Sequence, residues 1–265
     1  MNQRFMDNSM KEMPGMKFFH RNPLVLLPGT GCNALLWRYV LPLLSKQMMP
    51  VMPNLLECAS QQAMLQKVHE VPHKKFILMG FSMGGYIAQH FYARHPERVS
   101  HLILLCTSGE EKLIPASVIE NNLKRVQDES YLAHMIHPKS PEHKQELYTA
   151  LTTMLDQSGT EAIGQQMHAM AHRQSVLKQF PSKPVPTLVI GARQDKVVPT
   201  THIENLALSL NTEVNWFESG HMLPLESPEA LCVMINDWLM RQNFTLENET
   251  SETLHHVDAS SSLLP

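Results

Sequence analysis

The chain is short of several things, and each shortage removes a class of function. It has four cysteines in 265 residues, Cys32, Cys58, Cys106 and Cys232. They are far apart and form no C-x-x-C pair, which argues against a zinc ribbon and against a disulfide scaffold. They read as free thiols of a reducing cytoplasm. No charge of one sign dominates: 22 basic residues face 25 acidic ones, so no basic face is expected to hold a phosphate backbone, and nucleic acid is excluded as a partner. Long apolar runs are missing too. The longest, such as Leu102 to Cys106, are far too short for a membrane-spanning helix, and the amino terminus, with Arg4, Asp7, Lys11 and Glu12 among its methionines, lacks the apolar stretch of a signal peptide.

What is present is alternation. Short apolar runs at Leu24 to Leu27, Phe76 to Met79, Val99 to Cys106, Thr187 to Ile190 and Val214 to Phe217 read as buried parallel strands, with a weaker strand at Met48 to Met52. Helical patterns lie between them. One holds Leu35, Leu36, Trp37 and Val40; another runs from Met83 to Arg94, with Ile87, Ala88, Phe91 and Tyr92 on one face and His95-Pro96 as its stop. Strands alternating with helices predict an α/β fold, a mostly parallel sheet flanked by helices.

The alternation breaks from Thr107 to Pro181, where three or four helical patterns follow one another without a convincing strand. Residues 107–181 are therefore expected to be an inserted helical lid, and residues 1–106 and 182–242 the core. A last helix is expected over Glu229 to Arg241, and the polar, serine-rich residues 243–265 read as a disordered tail.

Gly80-Phe81-Ser82-Met83-Gly84-Gly85 follows a strand directly and opens a helix, the context that gives G-x-S-x-G its chemical meaning. A serine on such a turn is lifted clear of the sheet at the positive end of a helix dipole. Neighbouring side chains would collide there, hence the glycines. The competing reading is a plain tight junction or phosphate-binding turn, but no G-x-G-x-x-G or G-x-x-x-x-G-K-[ST] spacing supports it.

A serine hydroxyl needs a histidine to take its proton and a carboxylate to fix that histidine's tautomer. Fifteen histidines are present, so position must select among them. His221 lies in Ser219-Gly220-His221-Met222-Leu223-Pro224, after one strand and before the final helix. Asp195 follows another strand in Gly191 to Pro199. Both loops fall at the carboxyl edge of the sheet, and the chain order Ser82, Asp195, His221 is the one this arrangement uses. Glu110 or Glu111 is the fallback acid. The oxyanion donors are expected to be the Met83 NH and, from the loop Pro28-Gly29-Thr30-Gly31-Cys32-Asn33, the Thr30 NH.

These motifs resemble the α/β-hydrolase family, in particular small bacterial hydrolases related to carboxylesterases, enol-lactonases and acyl-carrier-protein methyl ester hydrolases. The resemblance spans Leu24 to Trp238 and is carried by Gly80 to Gly85, Pro96-Glu97-Arg98-Val99, Gly191 to Pro199 and Gly220-His221. Two departures stand out. Pro28-Gly29 replaces the usual His-Gly of the oxyanion loop, and Pro53 to Cys58 replaces the usual D-x-x-G-x-G-x-S loop.

His168 and His172 lie four apart, but residue 169 is alanine where H-E-x-x-H needs glutamate, so no metal is expected. The 18 methionines read as flexible core filler rather than as a pocket, and Trp37 as helix packing. The function expected is hydrolysis of a carboxylic ester or related acyl bond of a small-molecule substrate, through an acyl-enzyme on Ser82 and with no cofactor. A thioesterase, a lactonase, a carbon-carbon bond hydrolase or a non-catalytic ligand receptor would fit the same constellation.

Overall fold

The computed structural model describes residues 22–44, 48–139 and 141–254, with side chains to residue 242. The expected six-stranded sheet is present. Its strands are β1 (Asn22–Leu27), β2 (Met48–Val51), β3 (Phe76–Phe81), β4 (Val99–Leu105), β7 (Thr187–Ala192) and β8 (Val214–Phe217). All run parallel, in the order β2-β1-β3-β4-β7-β8. The helices α1 (Gln61–His69), α2 (Met83–Arg94) and α7 (Thr200–Ser209) make the crossovers.

The strands read as continuous apolar runs because both faces of the sheet are covered. Successive side chains alternate sides, so Leu24, Leu26, Ile77, Met79, Ile103 and Leu105 enter one core while Val25, Leu27, Phe76, Leu78, Leu102 and Leu104 enter the other. Each such side chain, fully buried, stabilises the fold by about 1.5–3 kcal/mol. Trp37 lies in the first core with no exposed surface, as expected. The segment around it forms two short 3-10 helices, Ala34–Trp37 and Leu41–Leu43, not one amphipathic α-helix. Pro42 has no NH to give the residue four before it, so an α-helical ladder cannot pass through that position.

Between β4 and β7 come α3 (Ala116–Lys124), α4 (Glu129–Met135), α5 (Pro141–Ser158) and α6 (Thr160–Ala169). They do not build a core of their own: Leu132, Leu147, Leu151, Leu155 and Ile163 join the cluster that holds Trp37. Two strands that the sequence did not suggest bracket these helices. The first, β5 (Lys112–Leu113), pairs antiparallel with the second, β6 (His172–Arg173). Two residues are too few to show a period.

After β8 come the short helix α8 (Leu223–Glu226) and the final helix α9 (Pro228–Leu254). The last helix therefore runs past Arg241, into residues expected to be disordered. Between Pro228 and Pro265 there is neither glycine nor proline, so no local breaker stops it. The rest of that tail, residues 255–265, lies outside the described residues, as does the amino-terminal segment read for a signal peptide. Among the described residues no helix is long and apolar enough to cross a membrane.

Candidate active site

The strand order reverses at β1: one connection leads to β2 on one side and the next to β3 on the other. In a parallel sheet that reversal opens a crevice at the carboxyl ends of the strands. The register sets Leu27 beside Gly80, so the loop after β1 and the turn after β3 lie side by side there.

Ser82 occupies that turn with φ 51° and ψ −115°, at the head of α2. A positive φ in a non-glycine residue costs of order 1–3 kcal/mol and persists only when its surroundings fix it. Here they do. The Ser82 NH donates to the Leu105 carbonyl at 2.9 Å, and its own carbonyl accepts from the Thr107 hydroxyl at 2.8 Å. The flanking glycines are obligatory: a Cβ on Gly80 would sit 2.3 Å from the Gly84 carbonyl oxygen, and one on Gly84 would sit 2.2 Å from that of Leu27.

His221 Nε2 lies 3.1 Å from Ser82 Oγ, and His221 Nδ1 lies 2.7 Å from Asp195 Oδ2. Asp195 and His221 are buried. The other carboxylate oxygen of Asp195 accepts from the Val197 and Val198 amides at 2.8 and 2.9 Å. An acceptor so saturated stays an acceptor, and it holds the proton of His221 on Nδ1, leaving Nε2 to accept from the Ser82 hydroxyl. The two loops are fixed to each other: the Arg193 NH donates to the Phe217 carbonyl and the Gln194 NH to the Ser219 carbonyl. Phe81 covers the imidazole, ring centroids 5.0 Å apart. Glu110, the alternative acid, is turned elsewhere and contacts His202 at 3.1 Å and Asn205 at 2.8 Å.

Thr30 and Met83 line one cavity of about 480 Å³ together with Ser82 and His221. The Met83 amide is the first of α2 and has no intrahelical acceptor. In the other loop the amides after Thr30 are already engaged: that of Gly31 donates to Gln166 Oε1 at 2.8 Å, and that of Cys32 to the Gly29 carbonyl at 3.1 Å. The Gly31 carbonyl accepts from Ser158 Oγ at 2.9 Å, and Gln166 Nε2 donates to the Leu55 carbonyl at 2.9 Å. Both polar groups of Gly31 are thus held from α5 and α6. Neither Gln166 nor Ser158 carried a sequence signal, because the contacts span 135 and 127 residues.

A third residue missed in the sequence is Glu226, buried one short helix after His221. Its Oε2 accepts from the Gly220 amide at 2.9 Å and from the His137 amide at 2.8 Å. Burial raises its pKa above the ordinary carboxylate value, and the two amides pull against that shift. The Pro-Leu-Glu-Ser-Pro run after His221 was the available clue.

Met64, Met79 and Met154 fill the cores; Met83 and Met170 belong to a core as well and also line the cavity, and Met135 and Met167 line it while packing against the other core. His168 ends on α6 and His172 on β6, so the pair does not share a helix. Among the described residues no group of three His, Cys, Asp or Glu could hold a metal ion. The four cysteines are buried free thiols.

Comparison with known proteins agrees with this geometry. The solved structures that the chain resembles include an esterase from Thermogutta terrifontis, TM-score 0.69 at 22% identity over 83% of this chain and 90% of that one. They also include the enol-lactonase of Burkholderia xenovorans, TM-score 0.70 at 16% identity over 83% and 91%. Among curated sequences, human monoacylglycerol lipase ABHD6 is 23% identical over 91% of this chain and 81% of its own length. The pimeloyl-acyl-carrier-protein methyl ester esterase of Vibrio vulnificus is 25% identical over 79% and 91%. The family model described as serine aminopeptidase, S33 matches residues 58–223, which is more than half of the chain and contains the serine, the aspartate and the histidine, so the chain belongs to that family of α/β-hydrolases.

Proposed function

We propose that Ser82 is the nucleophile, His221 the general base and Asp195 the orienting acid of a carboxylic-ester hydrolase, with the Thr30 and Met83 amides as its oxyanion hole. The observation that carries this is the unbroken relay from Asp195 Oδ2 through His221 to Ser82 Oγ, at 2.7 and 3.1 Å, ending on a strained serine that opens into a cavity. The lipase and the methyl ester esterase among the curated relatives support an ester as the bond cleaved, and the enol-lactonase among the similar structures makes a lactone, a cyclic ester, the second reading. Residues 107–181 act as the lid over that cavity, and the reduced, buried thiols fit a cytoplasmic protein.

The chemistry follows from the geometry. Ser82 Oγ attacks the ester carbonyl as its proton passes to His221 Nε2, and the two amides receive the charge that develops on the carbonyl oxygen. His221 then gives that proton to the departing alcohol, leaving an acyl group on Ser82. Water then attacks the acyl carbonyl as its proton passes to Nε2, and His221 returns that proton to Ser82 Oγ as the bond between acyl carbon and Oγ breaks and the acid leaves.

Peptide cleavage from a free amino terminus, which the family description names, fits less well. An α-ammonium group calls for a carboxylate in the pocket, and among the described residues neither Asp nor Glu lines the cavity. A fluorophosphonate probe and a short p-nitrophenyl ester test the assignment against Ser82→Ala. Labelling and turnover should both be present in the wild type and lost in the variant. Labelling that persists in Ser82→Ala would overturn it.

A further inference from the structure

The cavity above Ser82 is apolar on part of its wall, at Ile114, Ile119 and the four methionines, and positively charged on another. Lys112, Arg125, Arg173 and Lys196 all contribute to its lining. Arg125 is offset by Asp128, 3.6 Å away. Lys112, Arg173 and Lys196 form no ion pair with a carboxylate among the described residues.

Two of these cations are placed at a cost. Lys112 and Arg173 are direct cross-strand partners in the two-residue pairing of β5 with β6, where like charges face each other and repel. Arg173 is half-buried, and its Nε is buried without a hydrogen-bond partner among the described residues, which leaves a charged donor desolvated and unused. Desolvation lowers the pKa of both, and for Lys112 the neighbouring guanidinium lowers it further. An anion between the two side chains would remove the repulsion and satisfy the idle donor together.

We infer that the ester this site accepts carries a second, anionic group, a carboxylate or a phosphate, which Arg173 and Lys112 hold while the ester carbonyl lies at Ser82. The inference rests on the ester-hydrolase reading and narrows its substrate to charged acyl esters. Lys196, beside Asp195 in sequence, exposed and part of the lining, adds to the field that draws such an anion in.

The test compares the monomethyl ester of a straight-chain dicarboxylic acid with the dimethyl ester of the same acid. A third arm, a methyl ester of equal length ending in a phosphate, decides between the two anions. Wild-type enzyme should favour one of the charged esters by about tenfold or more in kcat/KM. Arg173→Gln and Lys112→Gln should each cut that ratio, and added salt should cut it in the wild type. Equal or better use of the dimethyl ester, or a preference that survives both substitutions, overturns the inference and leaves the ester reading intact. Calorimetric binding of the same esters to Ser82→Ala separates the two in the other direction. Selective binding of a charged ester by that variant, with no turnover of any ester by the wild type, sinks the ester reading and keeps the anion site.

Discussion

The Gly31 amide donates to Oε1 of Gln166 at 2.8 Å, so a side chain of α6 fixes the peptide that follows Thr30. With the Ser158 hydroxyl on the Gly31 carbonyl, the loop proposed to supply the second oxyanion donor is held from the inserted helices as well as by its own turn, in which the Cys32 amide donates to the Gly29 carbonyl. Gly31 itself sits at φ 69°, where little but glycine is at ease.

Gln166→Leu should therefore lower kcat by about tenfold to a hundredfold with a smaller change in KM, since a misaimed donor is felt most in the transition state. The check is a trifluoromethyl ketone, whose adduct carries the oxyanion. Its affinity should fall by the same factor as kcat. An unchanged inhibition constant beside a lowered Tm would reduce Gln166 to a packing residue.

Asp195→Asn should leave the fold in place and lower kcat by about four orders of magnitude, because an amide can hold the wrong tautomer of His221. Steady-state kinetics with circular dichroism reads both halves. Full activity in this variant would return Glu110 to consideration, although it now contacts His202 and Asn205.

Gly84→Ala places a methyl group 2.2 Å from the Leu27 carbonyl oxygen, backbone against backbone, with no flexible side chain to yield. A destabilisation of roughly 3 kcal/mol or more is expected, at the upper end of what overpacking costs. Chemical denaturation measures it, and a variant as stable as wild type would mean that the turn can open.

The parts of this protein that could be read in its sequence are those that repeat or that are local. β1, β3 and β4 were visible because both of their faces are buried, and the Ser82 turn because glycine, serine and helix start fall within six residues. Asp195 and His221 were found through their places after strands. Gln166, Ser158 and Glu226 were not, since each acts on a backbone group in a different segment, and a hydrogen bond to a main-chain amide leaves no pattern in the side chains. Lys112 and Arg173 were hidden for a related reason: they meet across strands of two residues. The methionines read as core filler, which Met64, Met79 and Met154 are, but their number could not show that Met83 and Met170 also face a cavity.

Glu226 supplies a pH prediction. Its folded-state pKa is raised by burial, so the folded protein holds this proton more tightly than the unfolded chain. Stability from this group is greatest below the ordinary carboxylate pKa and declines as pH rises through the raised value. Glu226→Gln keeps an oxygen for the Gly220 and His137 amides and removes the charge. Its Tm should match or exceed that of wild type at pH 8, with the difference shrinking in acid. Glu226→Ala, which loses both bonds, should lower Tm at every pH and kcat with it, since His221 follows Gly220. A glutamine variant that is less stable only at high pH would reverse the sign and refute the account.

The pairing of β5 with β6 brings the two ends of the inserted helices to one point, so the chain leaves the sheet and returns to it through a single gateway. Whatever lies between can vary in length at a small entropic cost, because the ends are already joined. The helices are in that sense a replaceable module, and pocket shape can change while the sheet and its hydrolytic chemistry do not. The exchange carries one condition: any successor must again present an acceptor to the Gly31 amide and a donor to its carbonyl, the two contacts through which the present module grips the loop beneath it.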